Sequence, residues 1–354
     1  MDYILESRSP VCDMEAVIDR DAHAYYLVML HHAKVVRMLW IANRIPAPPD
    51  IAASYQRVSI GHHFLMPAPY VMHAPGGIEL DPGKLTIIWY PSGDGVGVFY
   101  GDTILCASPT TANAKTFPGF TRYVREKTPY GWPFLPNAES VEADVLDAVK
   151  FWGFMRREAT WQEVQQKHLE VLHAFFGQHE QYYAIDGGKF PPRALVQGRR
   201  DGAVYSITAG MSLLPMPKTE LTYLEQTPQH CRTELGFAAR EHFFGLPEQM
   251  APRISAAANA PWEMLSMLDH GHMIDIADIP GFPEMLLVDP RRTPGMECPE
   301  YPGFWGCRIN LLWMVPVTAE EIAFAEKHGS AALLDKASDK TRLHIFDGAP
   351  KFGG

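Results

Sequence analysis

The chain has 354 residues, of which 47% are apolar and 20% charged, with a formal charge of −10. That composition supplies apolar material for a core and excludes wholesale disorder, and the length points to two domains or one large elaborated domain. Residues 1–150 carry 12 basic and 16 acidic side chains and the remainder 19 and 25, so neither half offers a basic grip for nucleic acid.

Five cysteines, Cys12, Cys106, Cys231, Cys298 and Cys307, are scattered and never spaced C-x-x-C. That pattern favours free thiols in a reducing compartment over a disulfide framework or a zinc ribbon. The N-terminal MDYILESRSP lacks a basic stretch followed by an apolar run, and no window approaches the roughly 18 apolar residues of a membrane span. A cytoplasmic protein without a membrane segment is expected.

In chain order, the spacing predicts a helix over 21–43, with Leu27, Leu30, Lys34, Val35, Met38 and Ile41 three to four residues apart and Asp21 at the positive end of its dipole. Prolines 46, 48 and 49 end it. Residues 62–82, dotted with proline and histidine, read as loops and short strands. Residues 85–90 and 96–100 flank Pro91-Ser-Gly-Asp-Gly95, a hairpin signal, and 103–107 add a strand. Glycines 93, 95 and 97 precede a strand; a phosphate-cradling loop needs a helix there, so that reading is set aside. Residues 109–137 read as a long, packed connection.

Ser140 is expected to cap a helix whose Val141, Val145, Val149 and Trp152 recur at helical spacing. Thr160 and Glu163, at capping-box spacing, open another that carries Trp161, Val164, Val171, Leu172 and Phe175 and stops at Gly177. A boundary between these helices gives an N-terminal region at 1–155, a second domain at 156–340 and a tail at 341–354. Beyond residue 190 the pattern turns to strands at 203–211, 232–239 and 283–288, with Pro261 suited to the first turn of a helix through Leu268.

The most legible stretch is 308–336. Six of the seven residues 309–315 are apolar, Asn310 being the exception, which reads as a strand buried on both faces. Thr318 and Glu321 have the spacing of a capping box, Gly329 closes that helix, and Ser330 can cap the next, which carries Leu333 and Leu334. Helices before and after a strand-rich middle argue for α+β: a multi-stranded mixed or antiparallel sheet flanked by helices in the C-terminal domain, with a second α+β region preceding it.

The order of several features resembles the suppressor-of-fused (SUFU) domain family. They are a leading helix ending in Phe175-Phe176-Gly177, then Thr208-Ala-Gly210-Met211-Ser212 followed by Pro215-Met-Pro217, then Glu234 in the next strand. Pro261-Trp262-Glu263-Met264-Leu265, the segment around His270-Gly271-His272, and INLLWMVPVTAEEIAFA complete the series. The resemblance covers about residues 160–340. It implies a non-catalytic protein-binding module without a cofactor. Animal members restrain a transcription factor, and many bacterial members are thought to be immunity proteins that neutralise a toxin. This chain, with no signalling appendage, is similar to the bacterial type, and a toxin-like or regulatory protein is the implied partner. An extended peptide added to a strand edge, or held in a groove between domains, is the expected mode of binding.

Individual residues offer weaker chemistry. Asp269, His270, His272 and Asp275 crowd one segment with ligand-type side chains, but two histidines two apart without a third strong ligand read as a hydrogen-bonded turn, and no metal is expected. The pairs His31-His32 and His62-His63 read as a helix surface and a loop. No G-x-S-x-G elbow occurs, so a hydrolase, the alternative, would place its site in the N-terminal region or in a cleft between the halves. In 294–306, prolines and glycines forbid regular structure while Tyr301, Phe304 and Trp305 supply aromatic anchors. These three, with Asp269, His270 and His272, are the expected partner-binding residues.

Overall fold

The computed structural model describes residues 2–59, 63–188, 190–243, 245–275 and 279–352. The chain divides into two compact units, Met1–Arg156 and Arg157–Gly354.

In the first unit, β1 (Asp2–Arg8), β2 (Met14–Arg20), β3 (Ala24–His31) and β4 (Lys34–Asn43) form an antiparallel meander. The helix expected over 21–43 is therefore a β-hairpin. Ala24, Tyr25, Tyr26, Leu27, Val28 and Met29 are buried one after another, so the run has no single apolar face from which a period can be read. His32 and Ala33 take φ values of 47° and 60°, the left-handed pair that a two-residue hairpin turn requires. Asp21 works locally, its Oδ1 accepting from the amides of His23 and Ala24 at 2.7 Å each. His31 and His32 thus lie at the hairpin tip, and His62 falls outside the described residues.

Helix α1 (Ile51–Ser59) leads to a five-stranded sheet of β5 (Leu85–Trp89), β6 (Val96–Tyr100), β7 (Thr103–Ser108), β8 (Phe120–Thr121) and β9 (Trp132–Pro133), and α2 (Ala138–Met155) follows. The glycine-rich stretch is the β5–β6 turn, as its flanking strands predict. Helix α2 starts two residues before Ser140, whose hydroxyl donates to the Asn137 carbonyl at 3.0 Å from within the first turn.

The second unit runs α3 (Thr160–Phe176), β10 (Gln181–Ala184), β11 (Ala194–Arg200), β12 (Ala203–Ala209), α4 (Thr219–Tyr223), α5 (Thr227–His230), β13 (Arg232–Arg240) and α6 (Leu246–Glu263). It continues with β14 (Met273–Ile274), β15 (Glu284–Val288), β16 (Ile309–Val317), α7 (Ala319–His328), α8 (Ser330–Asp335) and β17 (Ile345–Phe346). Its eight strands make one sheet in the order β10-β11-β12-β13-β16-β15-β14. Strand β17 also pairs with β13, so the sheet is mixed: β16 runs parallel to β13 over Arg232–Gly236, and β17 takes over at Ala238 and Ala239. The fold is α+β.

Three further helix starts differ from expectation. Ala159 precedes α3 without a side-chain cap, because the Glu163 amide that Thr160 would have taken already bonds the Ala159 carbonyl at 3.0 Å. Pro261 lies in the last turn of α6, and Pro247 occupies the first-turn position instead. The stretch from 308 onward follows its sequence closely. Every residue of β16 is buried, and the Thr318–Glu321 capping box is complete. Gly329, however, occupies the cap position of α8 that Ser330 was expected to fill.

One core gathers Leu172, Phe175 and Phe176 of α3 with Tyr205, Ile207, Leu311, Trp313 and Val315 of the sheet and Leu333 and Leu334 of α8. Gly236 makes this packing possible: a Cβ there would stand 2.5 Å from the Trp313 ring. Residues 341–354, read from the sequence as a tail, contribute β17 and send Phe352, 1% exposed, into the same core.

Candidate functional site

Two polar clusters and one aromatic loop in the second unit could carry function. The first is centred on Glu234, whose side chain is fully buried. A carboxylate there is tolerable only if its lone pairs are filled. The end of β12 fills them. Thr208 Oγ1 donates to Oε2 at 2.6 Å, while Oε1 accepts from the Gly210 and Ser212 amides at 3.0 Å each and from Ser212 Oγ at 2.6 Å. Gly210 can turn the chain back because its φ is 103°, and a Cβ on it would lie 2.5 Å from the Pro192 carbonyl oxygen. From α3, His168 Nε2 reaches Glu234 Oε1 at 3.2 Å and Ser212 Oγ at 3.1 Å, while its Nδ1–H donates to the Val164 carbonyl at 2.9 Å.

Serine, histidine and glutamate in contact invite comparison with a hydrolytic triad, and the geometry answers it. In a triad the imidazole lies between acid and nucleophile, bonded through opposite nitrogens. Here both side chains meet the same nitrogen, and the serine donates its proton to the acid. Burial opposes charge on both partners. It is outweighed at His168 by the hydrogen bond and charge of Glu234, so the imidazole is raised, and at Glu234 by His168, Ser212 and Thr208, so the carboxyl is held low. Both shifts favour the charged forms, so His168 and Glu234 hold each other as a buried pair, and the imidazole is not set between acid and serine in the manner of a triad. Both Ser212, at 0% exposure, and His168, at 4%, are closed to a substrate.

The aromatic loop packs on this centre. Tyr301 is 9% exposed and its ring sits 5.4 Å from that of His168. Its hydroxyl has no hydrogen-bond partner among the described residues. Burial, and then Glu234, push the phenol well above its ordinary range. Phe304 is half-buried against the same core, with the Arg232 guanidinium 5.0 Å over its ring, and Trp305 follows at a φ of 50°. Of the three expected anchors, Tyr301 is committed to the interior, whereas Phe304 and Trp305 keep part of their surface.

The second cluster surrounds Asp269. Tyr223 donates its hydroxyl hydrogen to Asp269 Oδ2, Arg292 Nη1 lies 3.5 Å from both carboxylate oxygens, and Arg292 Nη2 lies 3.4 Å from the Tyr223 oxygen. The Tyr223 ring stacks on His230 with centroids 3.6 Å apart and planes 7° apart. Burial lowers His230, with Arg292 and Arg308 acting in the same direction. His270 Nδ1 accepts from the Asp289 amide at 3.0 Å, which makes it part of the loop's scaffold. His272 is exposed and enters through its backbone, its amide donating to the Asp269 carbonyl at 3.1 Å and its carbonyl accepting from Leu287 at 2.8 Å. Asp269 and His270 are thus brought together with Tyr223, His230 and Arg292, which the sequence reading did not assemble. The loop hands the chain to β14, one of the two edge strands of the sheet.

Among the described residues, no group of three or more His, Cys, Asp or Glu is placed to hold a metal, and no helix is long and apolar enough to cross a membrane.

No curated protein matches the sequence. Among solved structures, the crystal structure of the Sufu–Fu complex is similar at 14% identity and a TM-score of 0.37, over 53% of this chain and 92% of that one. Residues 184–349 match the family model of the Suppressor of fused protein (SUFU). That span holds Thr208, Gly210, Ser212 and Glu234, the residues that build the buried centre, along with the Asp269 loop and β16. The C-terminal unit of this chain carries a suppressor of fused domain.

Proposed function

We propose that the chain is a cytoplasmic protein-binding module of the bacterial type, immunity-like or regulatory, which occludes a toxin-like or regulatory protein by stoichiometric binding and without catalysis. The suppressor of fused domain at 184–349 carries this reading. It is supported by the wiring of Glu234, His168 and Ser212, which spends the side chains most suited to catalysis on holding the fold.

The mode of binding is an extended segment of the partner laid along an open edge of the sheet. Strands β10 and β14 are its two ends, and each pairs on one side only among the described residues. Main-chain hydrogen bonds to such an edge supply affinity, and neighbouring side chains supply selectivity. At β14 those neighbours are Asp269, His270 and His272, and the loop with Phe304 and Trp305 adds aromatic surface.

Cross-linking of the tagged full chain to its captured partner tests the reading. Cross-links are expected at 180–186 or 269–275. A complex whose interface leaves both edges free refutes the strand-addition mode, and turnover of the captured molecule refutes the binding class.

A further inference from the structure

Residues 343–352 join the sheet late and by little. Strand β17 contributes two pairs to β13, at Ala238–Ile345 and Ala239–Phe346, and so fills the length of β13 left open beyond the last β16 pair at Gly236. On one face Phe346 rests on Phe243 and Phe282, each with ring centroids 5.2 Å away. On the other, Leu343, Ile345 and Phe352 enter the main core. The Phe352 amide donates to Glu321 Oε1 at 2.8 Å, and Lys351 pairs with Asp347 at 2.8 Å.

Within this segment His344 is out of keeping with its surroundings. It is 2% exposed, and neither ring nitrogen has a hydrogen-bond partner among the described residues. The ring lies 4.7 Å from that of Trp313 and 6.2 Å from that of Tyr205, between β16 and β12. The charges that act on it are cationic: Lys351 of the segment itself and Arg200 of β11. Arg200 is paired with Glu297 at 3.0 Å and Asp201 at 3.2 Å, and Lys351 with Asp347, so the neighbouring carboxylates are already engaged. A buried imidazole without partners is tolerated while neutral, and an imidazolium there would face two cations in an apolar slot.

We propose that residues 343–352 form an acid-opened latch, in which protonation of His344 drives the segment off β13 as one piece while the rest of the sheet stays closed. Opening bares the Ala238–Ala239 edge of β13, in the register that now accepts a parallel strand. If the protein-binding reading holds, that edge is a further place for an extended segment of the partner. The opening itself does not depend on that reading.

Burial, Lys351 and Arg200 pull His344 down to about 4 from an ordinary 6.5, so docking is strongest above pH 6.5 and weakens as the pH falls towards 4. With those two values the opening equilibrium rises about 30-fold between pH 7.5 and pH 5. Hydrogen exchange of the full chain, corrected for intrinsic rates, tests this. The amides of Ile345, Phe346 and Phe352 should lose protection about 30-fold at pH 5, while the β12–β13 ladder remains protected. In His344→Phe, which keeps an aromatic ring in the slot, that loss should vanish. Equal loss across the whole sheet, or an unchanged loss in His344→Phe, overturns the latch. Should that variant fail to fold, the ring's own NMR titration in the wild type decides: a midpoint near 6.5 with protection unchanged overturns it as well.

Discussion

The carboxylate of Glu321 joins two parts of the chain, accepting the Thr318 amide through Oε2 at 2.7 Å and the Phe352 amide through Oε1 at 2.8 Å. One oxygen closes the capping box of α7 and the other fixes the C-terminal segment. Glu321→Ala should therefore cost more than a cap. About 1 kcal/mol is expected from the lost cap and about 1–3 kcal/mol from the buried Phe352 amide left without a partner. Chemical denaturation should show a loss of about 2–4 kcal/mol, with Glu321→Gln in between because its amide retains one acceptor oxygen. A loss under about 1 kcal/mol would mean that the second bond contributes nothing.

The buried pair of His168 and Glu234 gives stability a pH signature. Glu234 is held below its ordinary 4.5, so its contribution is lost as the pH falls through that lowered value. His168 is raised above its ordinary 6.5, so its contribution is complete below 6.5 and lost as the pH rises through the raised value. The stability difference between wild type and His168→Gln should be largest between pH 4.5 and 6.5 and shrink on either side. Glu234→Ala, which leaves the imidazole buried without its counter-ion, should cost about 3–5 kcal/mol. A difference that keeps growing towards pH 9 contradicts the ion pair.

Tyr301 and Trp305 should separate cleanly. Tyr301→Phe removes a buried hydroxyl that lacks a partner and should be neutral or stabilising by about 1 kcal/mol, whereas Tyr301→Ala should cost about 3–5 kcal/mol through the cavity it leaves. Trp305→Ala should change stability by less than about 1 kcal/mol and weaken partner binding at least about tenfold. Thermal melts and calorimetric titration read the two effects. A Trp305→Ala protein that melts early and binds normally makes the residue a packing element.

Sequence legibility followed the range of the signals. Strand β16 and the α7 cap are written within a dozen residues, as an unbroken apolar run and a Thr-x-x-Glu spacing, and both are present. The β3–β4 hairpin was missed because two buried faces erase the alternation that marks a strand, and because His32-Ala33 takes the left-handed conformation without the usual Asn-Gly sign. The buried centre joins His168 of α3, Thr208 of β12, Ser212 of the turn after β12 and Glu234 of β13, and the Asp269 cluster draws Tyr223 and His230 from one side and Arg292 from the other. No local spacing encodes either. The resemblance quoted Thr208, Gly210, Ser212 and Glu234 as an ordered motif, and the structure gives that order its physical content, a carboxylate with the donors that make its burial tolerable.

The central claim, stoichiometric binding of a protein without catalysis, is tested most directly by native mass spectrometry of the full chain titrated against its captured partner. The account predicts saturation at a fixed molar ratio, with the partner's covalent mass unchanged however long the two are mixed. A partner whose mass changes with time, at chain concentrations far below its own, contradicts it.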